Sequence, residues 1–189
     1  MPTFKFKKKV EDIEEPKLLD TDWYLHRVSK EVRIMPNEAL RNIVGDKASE
    51  KAMQKACIED KNEKAGFTMF VNCEIVSPDP DFNGRESTIM LPYPSDADLE
   101  RRDRKGMIKY DAKMELIASL IEAAGGSVDG EEAEGLQVGA TFQAYVKQQR
   151  QRNKEALENR VDIFAGFKGA DESVEELGEE GFDSTDFDV

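Results

Sequence analysis

Apolar and polar residues alternate along several stretches of this chain, which is the pattern of strands that bury one face. In the first stretch, residues 23–34, His26 and Val28 share one face, and Arg27 and Arg33 share the other. The sequence therefore predicts a long strand with one charged face. The same alternation predicts further strands at residues 66–76, 85–91, 141–149 and 160–167.

The spacing of apolar residues becomes helical between the third and the fourth of these strands. Ile117, Leu120 and Ile121 lie on one side of a helix at residues 110–124, and two glycines follow as its end. This amphipathic helix is expected to pack against the sheet. Residues 37–64 are rich in Ala, Lys and Glu and predict a helical insertion with weak amphipathicity.

Three strands, a helix and two more strands follow one another in the order of the OB-fold, a small Greek-key barrel that binds oligonucleotides. We therefore expect a mainly β, OB-fold-like domain with helices at residues 1–170, interrupted by the helical insertion at 37–64. Other small β-barrels and α+β sandwiches share this order and remain alternatives.

The last nineteen residues, 171–189, contain nine acidic residues and no Lys or Arg. Such a block of like charge predicts a disordered interaction tail. The whole chain has a net charge of −13, and the residues before the tail carry only −4 of it. A charge of this size is compatible with a local basic groove, because binding to a polyanion depends on local potential.

Signals for catalysis and for metal or nucleotide binding are weak in this sequence. His26 is the only histidine and is expected in the core or at an interface, and no CxxC pair, HExxH or phosphate-binding glycine loop occurs. Residues 79–84 resemble the opening of a calcium loop, but Met90 stands at its closing position, so a hairpin turn is expected. Cys57 and Cys73 are expected to be reduced thiols. We expect neither an enzyme nor a cofactor or metal.

Aromatic and basic residues on the predicted solvent faces of the strands are the candidate binding site. Bases of single-stranded nucleic acid stack on aromatic rings, and basic side chains hold its phosphates. The candidate stacking residues are Trp23, Phe70, Tyr93, Tyr145 and Phe164. The candidate phosphate ligands are Arg27, Arg33, Arg85, Lys147, Arg150, Arg152, Arg160 and Lys168. The basic cluster at residues 101–105 is either a further phosphate-binding edge or a solvated helix face.

With its OB-like strand order, its Gln- and Arg-rich segment after the fourth strand and its acidic tail, the chain resembles phage-type single-stranded DNA-binding proteins. The resemblance implies binding to single-stranded DNA, without strong sequence preference, during replication, recombination or repair. It also implies a tail that recruits replication or recombination proteins or occupies the empty groove. The tail residues concerned are Phe182, Asp183, Asp186, Phe187 and Asp188; tails of this family commonly end on Phe, whereas this one ends on Val189.

Two other classes of function stay open at this point. The strongly acidic composition also fits a DNA mimic or adaptor that binds another protein. A metal-dependent nucleic-acid enzyme would use body carboxylates such as Asp79 or Asp81. No apolar run is long enough to cross a membrane, so a cytoplasmic protein without membrane contact is expected, in the host cell if phage-encoded. The oligomeric state, with a homodimer among the options, the nucleotide footprint, DNA versus RNA preference and the tail's partner are left undetermined.

Overall fold

The computed structural model describes residues 17–129, 132–150 and 157–171, which form a mainly β structure with a few helices. The strands are β1 (Asp22–Val28), β2 (Arg33–Pro36), β3 (Phe67–Val76), β4 (Glu86–Tyr93), β5 (Ser127–Asp129), β6 (Glu132–Glu134), β7 (Thr141–Arg150), β8 (Leu157–Val161) and β9 (Phe167–Gly169). The helices are α1 (Glu38–Val44), α2 (Glu50–Glu59) and α3 (Lys109–Ala123), with 3₁₀ turns at Asp96–Leu99 and Ile163–Ala165. The predicted tail lies, from residue 172 onward, outside the described residues.

Seven of the described strands form one antiparallel sheet, in which the long strand β3 has neighbours on both edges. One edge of β3 pairs with β4, and the other pairs with β1 and then β2, placed end to end. The far edge of β1 pairs with β7, whose other edge carries β8 and β9. The remaining described strands, β5 and β6, form a separate antiparallel pair.

β4 lies at one side of the sheet and β8 and β9 lie at the other, and within the described residues no ladder joins the two sides. A cavity of about 320 Å³ lies between these sides, with Leu19, Ile75 and Val146 among its lining residues. The predicted mainly β class with helices is confirmed. The sheet is not closed into a barrel, so the barrel closure expected of an OB-fold is not seen in this part of the chain.

One face of the sheet forms the main core with α3. Alternate residues of β3, including Val71 and Cys73, are fully buried there, and Phe142 on β7 joins them. Helix α3 contributes Leu116 and Leu120 to the same cluster. The predicted amphipathic helix and its packing against the sheet are confirmed, because the period-two and helical patterns each placed their apolar residues on one side.

Residues 37–64 are helical as predicted, and contain the two helices α1 and α2. Asn37 caps α1 and Ser49 caps α2, and each side chain accepts a hydrogen bond from a first-turn amide. The pair encloses a small second core that includes Leu40, Ala56 and Cys57. Cys57 and Cys73 are free thiols, as expected, and both are buried.

The predicted fifth strand, residues 160–167, is wrong as a single element. β8 ends at Val161, the 3₁₀ turn Ile163–Ala165 follows, and the chain resumes as β9. Asp162 starts this turn because its carboxylate accepts the amide hydrogen bond of Phe164. The turn ends at Gly166, whose φ of 79° is a positive value that glycine adopts without steric cost. The predicted first strand is likewise divided, into β1 and β2.

Candidate nucleic-acid interface

The face of the sheet turned away from α3, here called the outer face, carries an aromatic pair at its centre. Trp23 on β1 and Tyr145 on β7 occupy directly opposed positions in the ladder, and both side chains are partly exposed. Their ring centroids lie 5.6 Å apart in an edge-to-face arrangement. This geometry is favourable for aromatic rings and fixes the two side chains relative to each other.

Two basic residues continue this surface beyond Tyr145. Lys147 lies two positions along β7, on the same face, and is directly opposite Arg160 on β8. We call Trp23, Tyr145, Lys147 and Arg160 the Trp23 patch. Its four members come from three strands, so pairing of the strands brings together residues that were predicted separately.

The two cations of the Trp23 patch differ in their surroundings. Lys147 Nζ lies 2.8 Å from Asp162 Oδ2, in an ion pair that stays partly open to solvent. Arg160 is exposed and has no ion-pair partner among the described residues. Arg160 can therefore contact a phosphate without breaking an ion pair within the described residues. Lys147 would have to break its ion pair with Asp162 or contact the phosphate and Asp162 together.

Lys168 belongs to the same face but not to its solvent-accessible surface. Its residue is only 2% exposed, and its Nζ lies 4.2 Å from the centroid of the Trp23 ring. The expectation that Lys168 lies on a solvent face is wrong, because β9 places its side chain beneath the indole. Its contact with Trp23 is a cation–π interaction, which holds the ring in place.

A second group on the outer face lies towards the other end of β3. Arg33 on β2 and Met90 on β4 are both directly opposite Phe70 on β3. We call Arg33, Phe70 and Met90 the Phe70 patch; Arg33 is exposed and has no ion-pair partner in the described part of the chain. Met90 was not among the predicted site residues, because alternation marks a face but not the neighbour across the ladder.

Between the two patches the outer face is electrically balanced. Arg27 lies 2.6 Å from the Glu74 carboxylate, and Lys30 is paired with Glu86 at 3.3 Å. Arg27 is thus on the predicted face, but its charge is matched by a neighbouring acid. Exposed pairs of this kind contribute little to stability and can exchange partners.

The other predicted site residues that the structure describes do not lie on the outer face. Tyr93 and Phe164 pack against the main core, so the expectation that they lie on a solvent face is wrong. Arg85 lies over the Phe82 ring, 5.2 Å from its centroid, in the turn between β3 and β4. Arg150 is at the end of β7, at an odd spacing from Lys147, and alternation turns it to the opposite side. Arg152 lies outside the described residues.

His26 is a core residue, as one of the two expectations held. Its ring is fully buried and stacks on Phe142 with centroids 5.9 Å apart, and Nδ1 donates to the Tyr24 carbonyl oxygen. Its Nε2 has no hydrogen-bond partner within the described residues. Burial lowers the pKa of His26 to about 4, so the ring is neutral at pH 7.

The described residues lack a metal-binding cluster and a membrane-spanning helix. They contain no group of three or more His, Cys, Asp or Glu side chains arranged to hold a metal ion. Asp79 accepts the amide hydrogen bond of Asp81 within the turn between β3 and β4, as the hairpin prediction required. None of the described helices has the length and apolar character needed to cross a bilayer.

A pocket of about 250 Å³ adjoins the Phe70 patch, between the end of β4, the loop after α2 and the turn before α3. Lys64 and Arg104 are among its lining residues. The cluster at residues 101–105 had signalled this region, although it forms a turn and not a helix face.

Comparison of the chain with protein-family models and with curated proteins gave no match.

Proposed function

We propose that this protein binds single-stranded DNA, without strong sequence preference, through the outer face of its sheet, during DNA replication, recombination or repair, as phage-type single-stranded DNA-binding proteins do. The main support is the Trp23 patch, where two partly exposed aromatic rings and two cations lie together on neighbouring strands. Stacking platforms beside basic side chains are the shared feature of proteins that bind single strands.

The proposed mechanism is non-catalytic. Bases would stack on Trp23 and Tyr145, while Arg160 and Lys147 would contact phosphates and release their counterions. Stacking involves the flat face that every base has, so little sequence preference is expected. The cation of Lys168 beneath the indole would keep Trp23 in position when no strand is bound.

The order of strand neighbours also supports an OB-like domain as part of this proposal. Starting from β4, the neighbours are β3, β1 with β2, β7, and then β8 with β9. This path is an antiparallel sheet that would need only a contact between β4 and the last strands to close, and partly open barrels are found among OB-folds. The acidic tail would then recruit partner proteins or compete with DNA for the basic surface.

The proposal is tested by fluorescence-anisotropy titration of labelled oligo-dT and of a matching duplex at low and moderate salt. We expect salt-sensitive binding to the single strand and much weaker binding to the duplex. Trp23→Ala should weaken binding by about 1–3 kcal/mol, which is about 5- to 150-fold. Binding to neither nucleic acid would instead favour the adaptor or DNA-mimic reading.

Matched variants separate the interface from general effects of substitution. Tyr110→Ala removes a partly buried aromatic side chain at the start of α3, outside the sheet, and should leave affinity unchanged. Arg160→Ala should weaken binding and lower the salt dependence, whereas Arg41→Ala removes an exposed cation of α1 and should change neither. Equal losses in Arg160→Ala and Arg41→Ala would contradict a localised interface.

A further inference from the structure

We propose that the pocket beside the Phe70 patch is a second, phosphate-binding subsite, which receives the backbone of the same strand that stacks on the Trp23 patch. This inference deepens the proposed function and rests on it for the identity of the ligand. The pocket has a volume of about 250 Å³ and is lined by five cationic and three acidic residues. A net positive lining in a chain of charge −13 indicates an anionic ligand.

The cations of the pocket divide into two sets. Lys113 lies 2.8 Å from Asp98, and Lys109 lies 2.7 Å from Glu63, so both are engaged within the protein. The other three have no ion-pair partner among the described residues, and they are Lys64, Arg102 and Arg104. These three are the residues that we assign to phosphate binding.

The turn that carries Arg102 and Arg104 is held in a defined shape. The amide of Asp103 donates to the Met107 carbonyl oxygen at 2.9 Å, and the Asp103 carboxylate accepts the Met107 amide at 2.8 Å. The guanidinium of Arg102 donates to the Gly106 carbonyl oxygen, 2.6 Å away, which fixes its position. A cation held in place loses little side-chain entropy when it meets its ligand.

The opposite wall of the pocket, the loop after α2, is fixed in a similar way. The Asp60 carboxylate accepts hydrogen bonds from the amides of Asn62, Lys64 and Ala65. The guanidinium of Arg101 ties this loop to the turn before α3 by donating to the carbonyl oxygens of Asp60 and Cys57. Lys64 and Arg104 therefore project from two braced walls of one pocket.

The position of the pocket lets one DNA strand reach both the pocket and the Trp23 patch. Met90 belongs to the Phe70 patch and also lines the pocket, together with Thr68 and Pro92. On β3, Val76 is level with Leu25, which is two residues from Trp23, and Thr68 is eight residues from Val76. These ten residue steps of about 3.3 Å place the two sites roughly 33 Å apart along the sheet. Sixteen nucleotides at about 3.4 Å each exceed this distance.

The first experiment measures the affinity of full-length protein for dT16 across salt concentrations. The double variant Lys64→Ala/Arg104→Ala should bind several-fold more weakly, and its log–log salt slope should fall by about 1.4, for two lost single-strand contacts. The control, Arg41→Ala/Lys51→Ala, removes the same charge from exposed positions of α1 and α2. Wild-type affinity in the pocket variant, or equal losses in both variants, would overturn the proposal.

The second experiment uses thymidine 3′,5′-bisphosphate, a probe too small to span the two sites, and amide NMR of the full chain. We expect saturable shifts at residues 62–66 and 102–106 in the wild type and in Trp23→Ala, and none in the pocket variant. Shifts confined to the Trp23 patch would overturn the subsite and leave the proposed function standing. Pocket shifts in a protein whose dT16 affinity does not depend on Trp23 would leave the subsite standing and overturn the proposed interface.

Discussion

Trp23 and Tyr145 face each other across the β1–β7 ladder, with their ring centroids 5.6 Å apart and edge to face. They are separated by most of the chain in sequence, so only the pairing of a strand near the start with one near the end makes them neighbours. Because Lys168 lies under the same indole, the three side chains form one fixed arrangement at the surface of the sheet.

The intrinsic fluorescence of this protein should report strand binding directly, because Trp23 is its only tryptophan. We expect oligo-dT to change the intensity of Trp23 emission, since a stacked base replaces water at the exposed part of the ring. Titration should give the same affinity as the anisotropy measurement. Tyr145→Leu should lower the affinity by the same factor in both measurements. If Trp23 emission did not change while DNA bound, the DNA would have to bind away from Trp23.

Acidification should destabilise the protein through His26. The pKa of its imidazole falls from 6.5 in the unfolded chain to about 4 in the core. Between these values only the unfolded chain takes up the proton, so stability is full above pH 6.5 and decreases as the pH falls towards 4. The expected loss is about 3 kcal/mol, measured by urea unfolding across that window.

The variant His26→Phe provides the control for this titration. It keeps an aromatic ring against Phe142 but has no proton to gain. Its unfolding free energy should depend less on pH between 6.5 and 4 than that of the wild type. An unchanged pH dependence in this variant would mean that other groups cause the loss.

The buried ion pair between Asp98 and Lys113 should matter for stability. Their side chains are only 4% and 13% exposed, and Asp98 also accepts hydrogen bonds from Ser95. Burial raises the pKa of the Asp98 carboxyl, but the Lys113 ammonium and Ser95 outweigh this effect and hold it below its usual value. Asp98→Ala should cost about 3 kcal/mol of unfolding free energy, because it leaves a buried ammonium unpaired.

Two variants test this assignment of the Asp98 effect. Asp96→Ala removes an exposed carboxylate two residues away and should change stability by less than about 0.5 kcal/mol. Adding Lys113→Met to Asp98→Ala should recover part of the loss, since no uncompensated charge remains. A double variant as unstable as the single one would contradict the explanation by charge. Thermal or urea unfolding measures all three.

Deleting residues 171–189 should strengthen binding to oligo-dT at low salt. The deletion removes nine acidic residues and no basic ones. In the full chain these carboxylates would compete with phosphates for the basic surface. The difference between the full chain and the truncated one should shrink as salt rises, because screening weakens both interactions. Anisotropy titrations of the two proteins provide the comparison. Identical affinities at every salt concentration would rule out this competition.

Local patterns predicted much of the sheet correctly because alternation is a property of each strand alone. Val71 and Cys73 were placed in the core, and Tyr145 and Lys147 on the opposite face, by the period of two. The helical insertion and the helix against the sheet followed from composition and spacing in the same way. The division of the predicted fifth strand was missed, because the turn depends on a hydrogen bond that the Asp162 carboxylate accepts from the Phe164 amide.

The sequence by itself determined which residues share a face within each strand, where the main helices lie, and that acidic charge is concentrated at the end of the chain. Only the tertiary structure decided which strands are neighbours and how far each side chain is covered. Lys168 shows the difference: alternation placed it on the outer face, but packing under Trp23 buried it. The pocket with Lys64 and Arg104 arises likewise from two loops that meet only after folding, because contacts distant in sequence carry no local signal.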